Sequence, residues 1–195
     1  MRPQRVRWMM LALSVWLAGC QSPAGTPIPS EALNGVPQTA NDRSGIAIVD
    51  SIIEAALSND ADTLRELIRF TTTGCTHVEG LGGPPKCEEN QPEGTPVEVF
   101  PILGPEGVFV SPQNIDSILP AGRQSLYAVY RVAEDAFEAD FWPAGKYGVV
   151  FASEDSSAAV NVLADESGIV RMVFGDAPEN LVQREVGEFI IAPRD

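Results

Sequence analysis

Residues 146–174 read KYGVVFASEDSSAAVNVLADESGIVRMVF, and their pattern of strands and turns indicates the fold class. Apolar and aromatic residues alternate with smaller ones over 146–152, which is the period-two pattern of a β-strand. Two further apolar runs, 158–163 and 169–174, are separated by the turn Asp165-Glu166-Ser167-Gly168, which is typical of a hairpin because glycine stands at its end. The stretch therefore predicts three consecutive antiparallel strands.

Two more strands are predicted just before this stretch, over 125–132 and 136–142. In the first, one face carries Leu126, Ala128, Tyr130 and Val132. In the second, Phe137, Ala139 and Phe141 lie on one face, and Glu138 and Asp140 lie on the other. The turn Trp142-Pro143-Ala144-Gly145 then leads into the strand at 146–152. A last run, 188–192, is predicted to be an edge strand.

The domain is predicted to begin with two helices. Residues 45–58, GIAIVDSIIEAALS, have an amphipathic stripe made of Val49, Ile52, Ile53, Ala56 and Leu57. Asn59 or Asp60 ends this helix and caps a second one, in which Leu64, Leu67 and Ile68 repeat the stripe. Short strands at 97–100 and 108–110 and a short helix from Ser111 to about Leu119 follow. Helices followed by an antiparallel sheet predict an α+β domain over residues 45–195, with a loop at 71–96.

Composition limits the size and the partners of this domain. The chain has 195 residues, of which 44% are apolar, so it holds one sizeable core. Its 27 acidic residues outnumber its 13 basic residues and set a net charge of −14. This charge repels nucleic acid and anionic lipid surfaces, so neither is expected as a partner. Three cysteines and one histidine do not suffice for a multi-ligand zinc site.

The first twenty residues form an export signal. Three arginines in residues 1–7 precede the apolar run WMMLALSVWLAG at 8–19, which is too short to span a bilayer. The run ends in Leu17-Ala18-Gly19-Cys20, which resembles the lipobox of bacterial lipoproteins. The resemblance implies cleavage between Gly19 and Cys20 and attachment of diacylglycerol to Cys20. An ordinary signal peptide and an uncleaved anchor are the alternatives.

A proline-rich segment separates this signal, residues 1–19, from the domain. Residues 20–44 contain four prolines and few residues able to pack, so we expect an extended, flexible tether of up to roughly 70 Å. An arm lying on the domain surface is the alternative.

Cleavage takes the net charge from −14 to −17, because it removes three arginines and no acid. The predicted location is the cell envelope, on the outer face of the cytoplasmic membrane or on the outer membrane, since Gln21 permits the latter.

The order of elements resembles the nuclear transport factor 2-like superfamily, and cystatin-like or other helix-on-sheet folds are the alternatives. The stretches AALSNDADTLRELI (55–68) and ADESGIVRMVF (164–174) are similar to its helical corner and to its late hairpin. The resemblance implies a curved, cone-like sheet. It also implies an interior pocket of the kind in which ketosteroid isomerase, scytalone dehydratase and polyketide cyclases use Asp, His or Tyr. Asp140, Tyr130 and Tyr147 lie on predicted strands that could line such a cone. The two tyrosines alternate with apolar neighbours, so core packing is the better explanation for them.

Cys75 and Cys87 enclose a glycine- and proline-rich loop. Once lipid occupies Cys20, these two cysteines are the natural disulfide pair in an exported protein. Two free thiols or a redox pair are the alternatives, but redox pairs of the thioredoxin type have two intervening residues at a helix start. The spacing therefore favours a structural bond.

No catalytic or metal-binding constellation is predicted. His77 is the only histidine, and a catalytic role would require a positioned nucleophile and an orienting acid that the sequence does not identify. Its other interpretations are a metal ligand beside Cys75 and Cys87, or a solvated loop residue. The acidic clusters lack the spacing of a calcium-binding loop. A weak calcium site in one turn is the alternative. No cofactor is expected.

Three functional hypotheses remain. The first is a lipid-anchored binding module that engages a protein or a small molecule through the disulfide loop or through the mouth of the cone. The second is an enzyme of the nuclear transport factor 2-like type, an isomerase, dehydratase or cyclase with a buried pocket. The third is a purely structural envelope lipoprotein. A buried carboxylate or phenol in an enclosed pocket would distinguish the second from the first.

Overall fold

The computed structural model describes residues 43–80, 82–103, 108–120, 124–153, 158–182 and 186–194. The predicted signal peptide and all but the end of the predicted tether therefore lie outside the described residues. Within them the chain forms an α+β fold in which a few helices cover a curved, open sheet of eight strands. The predicted fold class is confirmed at this level.

Two helices open the domain, as predicted. Helix α1 spans Ala47–Leu57, and helix α2 spans Ala61–Leu67. The predicted stripe of α1 is buried, with only Leu57 partly exposed. At the corner Asn59 adopts a left-handed φ of 59°, and the Asp60 side chain accepts a hydrogen bond from Thr63 N at 3.0 Å. Asp60 is thus the cap of α2, because its carboxylate satisfies a backbone donor that the first turn leaves open.

The remaining elements are mostly strands. In chain order they are β1 Thr71–Gly74, β2 Pro96–Leu103, β3 Val108–Val110, a 3₁₀ helix Pro112–Ser117, β4 Gln124–Val132, β5 Tyr147–Ser153, β6 Ala159–Asp165, β7 Gly168–Gly175, helix α3 Pro178–Val182 and β8 Val186–Ile191. The strands predicted near 125–132, 146–152, 158–163, 169–174 and 188–192 correspond to β4, β5, β6, β7 and β8. The first helix is confirmed over nearly its whole predicted length.

The sheet is largely antiparallel but contains one parallel pair. Its strand order is β1-β2-β7-β6-β5-β4-β8, and β3 pairs with β2. β2 and β7 run parallel, with Ile102 opposite Met172. The prediction of a purely antiparallel sheet is therefore wrong at this pair, because period-two alternation reports which face is buried but not the direction of the neighbouring strand.

Both faces of the central strands are covered. On one face α1 and α2 pack against residues such as Val149, Phe151 and Met172. On the other face Val150 and Leu163 pack against side chains of α3. Strands buried on both faces read as continuous apolar runs rather than as alternating ones, which accounts for the composition of β5 and β6.

Three local predictions are wrong. Residues 136–142 form turns and an isolated bridge between Ala139 and Trp142 rather than a strand. The predicted loop 71–96 begins with the short strand β1 and ends with the first residue of β2. Leu126 and Tyr130 belong to opposite faces of β4, because a bulge between Leu126 and Ala128 reverses the alternation.

Candidate functional site: the disulfide loop

The loop between β1 and β2, residues 75–95, is closed at its base by the strand ladder. Cys75 N donates to Thr95 O at 3.0 Å, and Gly94 N donates to Cys75 O at 2.8 Å. These bonds continue the antiparallel pairing of β1 with β2 into the loop. The loop, hereafter the disulfide loop, therefore projects from the end of the sheet on a fixed base.

Cys75 and Cys87 form a disulfide bond within this loop, as predicted. Thr76 lies beside it and connects both arms of the loop: its backbone N donates to Pro85 O at 2.9 Å, and its carbonyl accepts from Cys87 N at 3.0 Å. The Thr76 hydroxyl donates to Glu93 Oε1 at 2.8 Å. A segment with few apolar residues is thus held together by a covalent bond and by hydrogen bonds instead of by a core.

His77 has a structural contact in this loop. Its exposed ring places Nε2 2.7 Å from the carbonyl of Gln91, so Nε2 donates this bond. Its two neighbouring cysteines are bonded to each other, so they supply no thiolate for a metal. Within the described residues no group of three or more His, Cys, Asp or Glu side chains has the geometry to hold a metal ion.

An open cavity of about 320 Å³ lies on the disulfide loop. It is lined by Thr76, His77, Val78, Glu79, Gly80, Lys86 and Cys87. Val78 is 66% exposed at this cavity, whereas the Lys86 ammonium turns back to donate to Val78 O at 2.9 Å. The cavity thus offers the exposed apolar side chain of Val78 and the carboxylate of Glu79.

The charge of the disulfide loop is strongly negative. It contains four glutamates, all exposed, against one lysine. Within the described residues none of these glutamates forms an ion pair, since the described ion pairs lie elsewhere. Lys86 keeps its charge when it donates to backbone carbonyls, so the loop is negative because four glutamates outnumber one lysine.

The residues proposed for an enzyme pocket are not brought together. Tyr130 is fully buried on the α3 side of the sheet, where its hydroxyl lies 2.6 Å from Asn161 Nδ2. Tyr147 packs against the core on the α1 side. Asp140 lies in a turn and is exposed, and its carbonyl accepts a hydrogen bond from Thr71 Oγ1 at 3.0 Å. These three side chains therefore face three different environments.

Sequence reasoning missed two features near the loop that joins β4 to β5. Arg171 is completely buried on β7, and its guanidinium lies 4.5 Å from the ring centroid of Trp142. Phe137 in the same loop is 70% exposed. The sequence offered no signal for the first, since an arginine within a strand is usually solvated, and it presented the second as part of a strand.

The predicted lipid-attachment residue Cys20 and the cleavage residue Gly19 lie outside the described residues. In the described part of the chain, no helix has the length and apolar character needed to cross a bilayer. Lipid attachment at Cys20 and cleavage after Gly19 therefore stay predictions.

The disulfide loop has to be interpreted from its own residues. Its internal bonds, its exposed valine and its charge are the observations available for a functional assignment. No family model, no curated protein and no solved structure matches this chain.

Proposed function

We propose that this chain is an extracytoplasmic lipoprotein whose domain acts as a binding module and engages a protein or small-molecule ligand through the disulfide loop. The observation that carries the proposal is the cavity beside Val78. An aliphatic side chain that is 66% exposed on a cross-linked loop gains free energy when a ligand covers it. Because the loop is already ordered by its bonds, little conformational entropy is lost on binding.

The proposed location rests on the N-terminus and on the cysteines. A short apolar run that ends in Leu17-Ala18-Gly19-Cys20 favours lipid attachment at Cys20. The bonded pair Cys75–Cys87 agrees with an oxidising compartment outside the cytoplasm. A net charge of −17 after cleavage gives no electrostatic help in binding anionic lipid, so two or three acyl chains would serve as the anchor.

Binding is preferred to catalysis because of where the candidate catalytic groups lie. The Tyr130 hydroxyl is enclosed and hydrogen-bonded to Asn161, so a substrate would reach it only if the sheet or its cover opened. Asp140 is exposed in a turn, so its carboxylate is not enclosed in a pocket that could hold a substrate. A surface loop with an apolar centre needs no such arrangement.

Two experiments test the two halves of the proposal. For the anchor, Cys20→Ser should abolish incorporation of labelled fatty acid and move the protein from the membrane to the soluble fraction. Retention of the label or of membrane association in this variant would contradict lipid attachment at Cys20. The parent chain in the same strain is the control.

For the binding module, native mass spectrometry of the full chain in neutral detergent is compared with a denatured control. We expect an additional non-covalent mass that is lost in Val78→Asp and kept in Val108→Asp, since Val108 is also exposed but lies on β3. A bare mass in the parent chain, or loss of the ligand in both variants, would contradict binding at the disulfide loop.

A further inference from the structure

A second surface stands apart from the disulfide loop, in the segment that joins β4 to β5. Residues 133–140 read AEDAFEAD, and Phe137 at their centre is 70% exposed. Phenylalanine removes more apolar surface from water than most side chains do when it is buried. An exposed phenylalanine therefore does not contribute the favourable free energy that its burial would provide. Among the described residues it is the most exposed of the large apolar side chains.

The exposure of Phe137 does not come from a loosely attached loop. On its C-terminal side, the ring of Phe141 packs edge-on against Phe109, with a centroid distance of 6.3 Å. The next residue, Trp142, is buried and stacks on Arg171. The two consecutive aromatic side chains hold the end of the segment against the domain, while Phe137 is left pointing into solvent.

Carboxylates surround this phenylalanine in the sequence. Four acidic side chains lie within three residues of it, and all four are exposed: Glu134, Asp135, Glu138 and Asp140. Among the described residues none of them forms an ion pair. The segment thus combines an exposed phenylalanine with four exposed carboxylates that are close to it in sequence, and we term residues 133–140 the Phe137 surface.

Charge complementarity selects the occupant of the Phe137 surface. A second copy of this chain carries the same strong negative charge and would be repelled, as would a nucleic acid or an anionic bilayer. A partner that covers Phe137 must supply apolar contacts and positive charge together. We infer that the Phe137 surface docks a basic segment of a protein, in which an aliphatic or aromatic residue flanked by Lys or Arg covers the ring. This site goes beyond the proposed function, because it lies outside the disulfide loop.

The inference is tested with a defined probe. A short synthetic peptide that repeats Lys-Lys-Leu is titrated into the ¹⁵N-labelled full chain in neutral detergent, and amide shifts are followed by NMR. We expect saturable shifts concentrated in residues 133–141, and we expect the affinity to fall at least tenfold in Phe137→Ala. Raising the salt from about 0.1 M to about 1 M shortens the screening length from about 10 Å to about 3 Å, so the affinity should fall as well.

Two controls distinguish binding at the Phe137 surface from nonspecific apolar binding and from nonspecific electrostatic attraction of the peptide. Phe174→Ala removes another exposed phenylalanine, on β7, and should leave the affinity unchanged. Asp135→Asn combined with Glu138→Gln should weaken binding and reduce its salt dependence. Because all these side chains are exposed, the fold of each variant should stay intact, with unchanged amide shifts elsewhere.

Several outcomes would overturn the inference. They are the absence of saturable binding, shifts spread evenly over the acidic surface, and equal losses in Phe137→Ala and Phe174→Ala. Equal affinity for a control peptide that repeats Glu-Glu-Leu would overturn it as well, because the selection of the partner rests on charge.

Discussion

The ring of Tyr130 lies directly over Gly148, its register partner on the neighbouring strand, in the space that a side chain at position 148 would occupy. Gly148→Ala should therefore destabilise the domain by about 2 kcal/mol, since the added methyl group forces a buried ring out of its position. Denaturant unfolding measures the loss. Tyr130→Leu combined with Gly148→Ala should cost less than the sum of the single changes, and strict additivity would argue against the contact.

The buried pair of Tyr130 and Asn161 predicts a second loss of stability. Tyr130→Phe removes the oxygen that lies 2.6 Å from Asn161 Nδ2 and leaves a buried amide donor without that partner. The expected cost is about 1–3 kcal/mol of unfolding free energy. Adding Asn161→Leu to Tyr130→Phe should recover part of it. A Tyr130→Phe variant as stable as the parent would show that the bond contributes nothing.

The disulfide should stabilise the fold mainly by restricting the unfolded chain. Replacing both Cys75 and Cys87 by alanine should lower the unfolding free energy by about 3 kcal/mol, as expected for a closed loop of this length. Chemical reduction of the parent chain should produce the same shift in the denaturation midpoint. If the double variant and the parent unfold at the same denaturant concentration, the loop's hydrogen bonds alone hold it.

Trp142 should control the order of the Phe137 surface. Trp142→Ala removes a buried ring and its contact with Arg171, at a cost of about 3 kcal/mol. Amide hydrogen exchange should accelerate first in residues 133–141, while α1 remains protected. Uniform acceleration across the domain would indicate that Trp142 supports the whole core rather than this segment.

Because Asp60 caps α2, we expect the pKa of its carboxyl group to lie below the usual range of aspartate. Hydrogen bonds from the Thr63 hydroxyl and backbone N–H lower the pKa of Asp60 below its ordinary value of 3.8. A lowered folded-state pKa stabilises the fold above the unfolded value, and this stabilisation is lost as the pH falls through the folded value. Carboxyl-detected NMR should give a midpoint below 3.8, and a higher one would contradict the cap. In Asp60→Asn this part of the pH dependence should disappear.

The sequence was most informative where one pattern had only one structural solution. The stripe of α1 has to face a core, and the hairpin of β6 and β7 is set by a turn in which Asp165 Oδ1 accepts from Ser167 N at 2.7 Å. Gly168 follows with φ +150°, and a Cβ there would meet the carbonyl of Leu67. The stripe and the turn are local, so the sequence shows them without knowledge of distant partners, whereas the contact of Gly168 with Leu67 is long-range.

The errors arose where long-range contacts override the local pattern. Residues 136–142 alternate like a strand, yet Phe141 and Trp142 both pack against the domain, on Phe109 and Arg171. Successive residues of a strand point to opposite faces, so the strand conformation would separate these two contacts. The burial of Arg171 likewise depends on Trp142, which lies 29 positions away along the chain.

The candidate site could be predicted only in part. The pairing of Cys75 with Cys87 followed from counting cysteines in a chain that is predicted to be exported. The role of Thr76 did not, because its bonds to Pro85, Cys87 and Glu93 are set by how the loop folds back on itself. The exposure of Val78 was equally hidden, since composition does not show which residue of a loop points outward.

The parallel pairing of β2 with β7 has a consequence for the order in which the chain folds. Strands β4 to β7 follow one another in the sequence and are neighbours in the sheet, so they form a meander from local contacts. By contrast, Ile102 on β2 pairs with Met172 on β7, which lies about 70 residues later in the chain. During synthesis from the N-terminus, β2 can pair early with its near neighbours β1 and β3, but its pairing with β7 has to wait until most of the sheet has been synthesised. Pulse-labelled hydrogen exchange during refolding should show β5 and β6 protected before the end of β2 that pairs with β7.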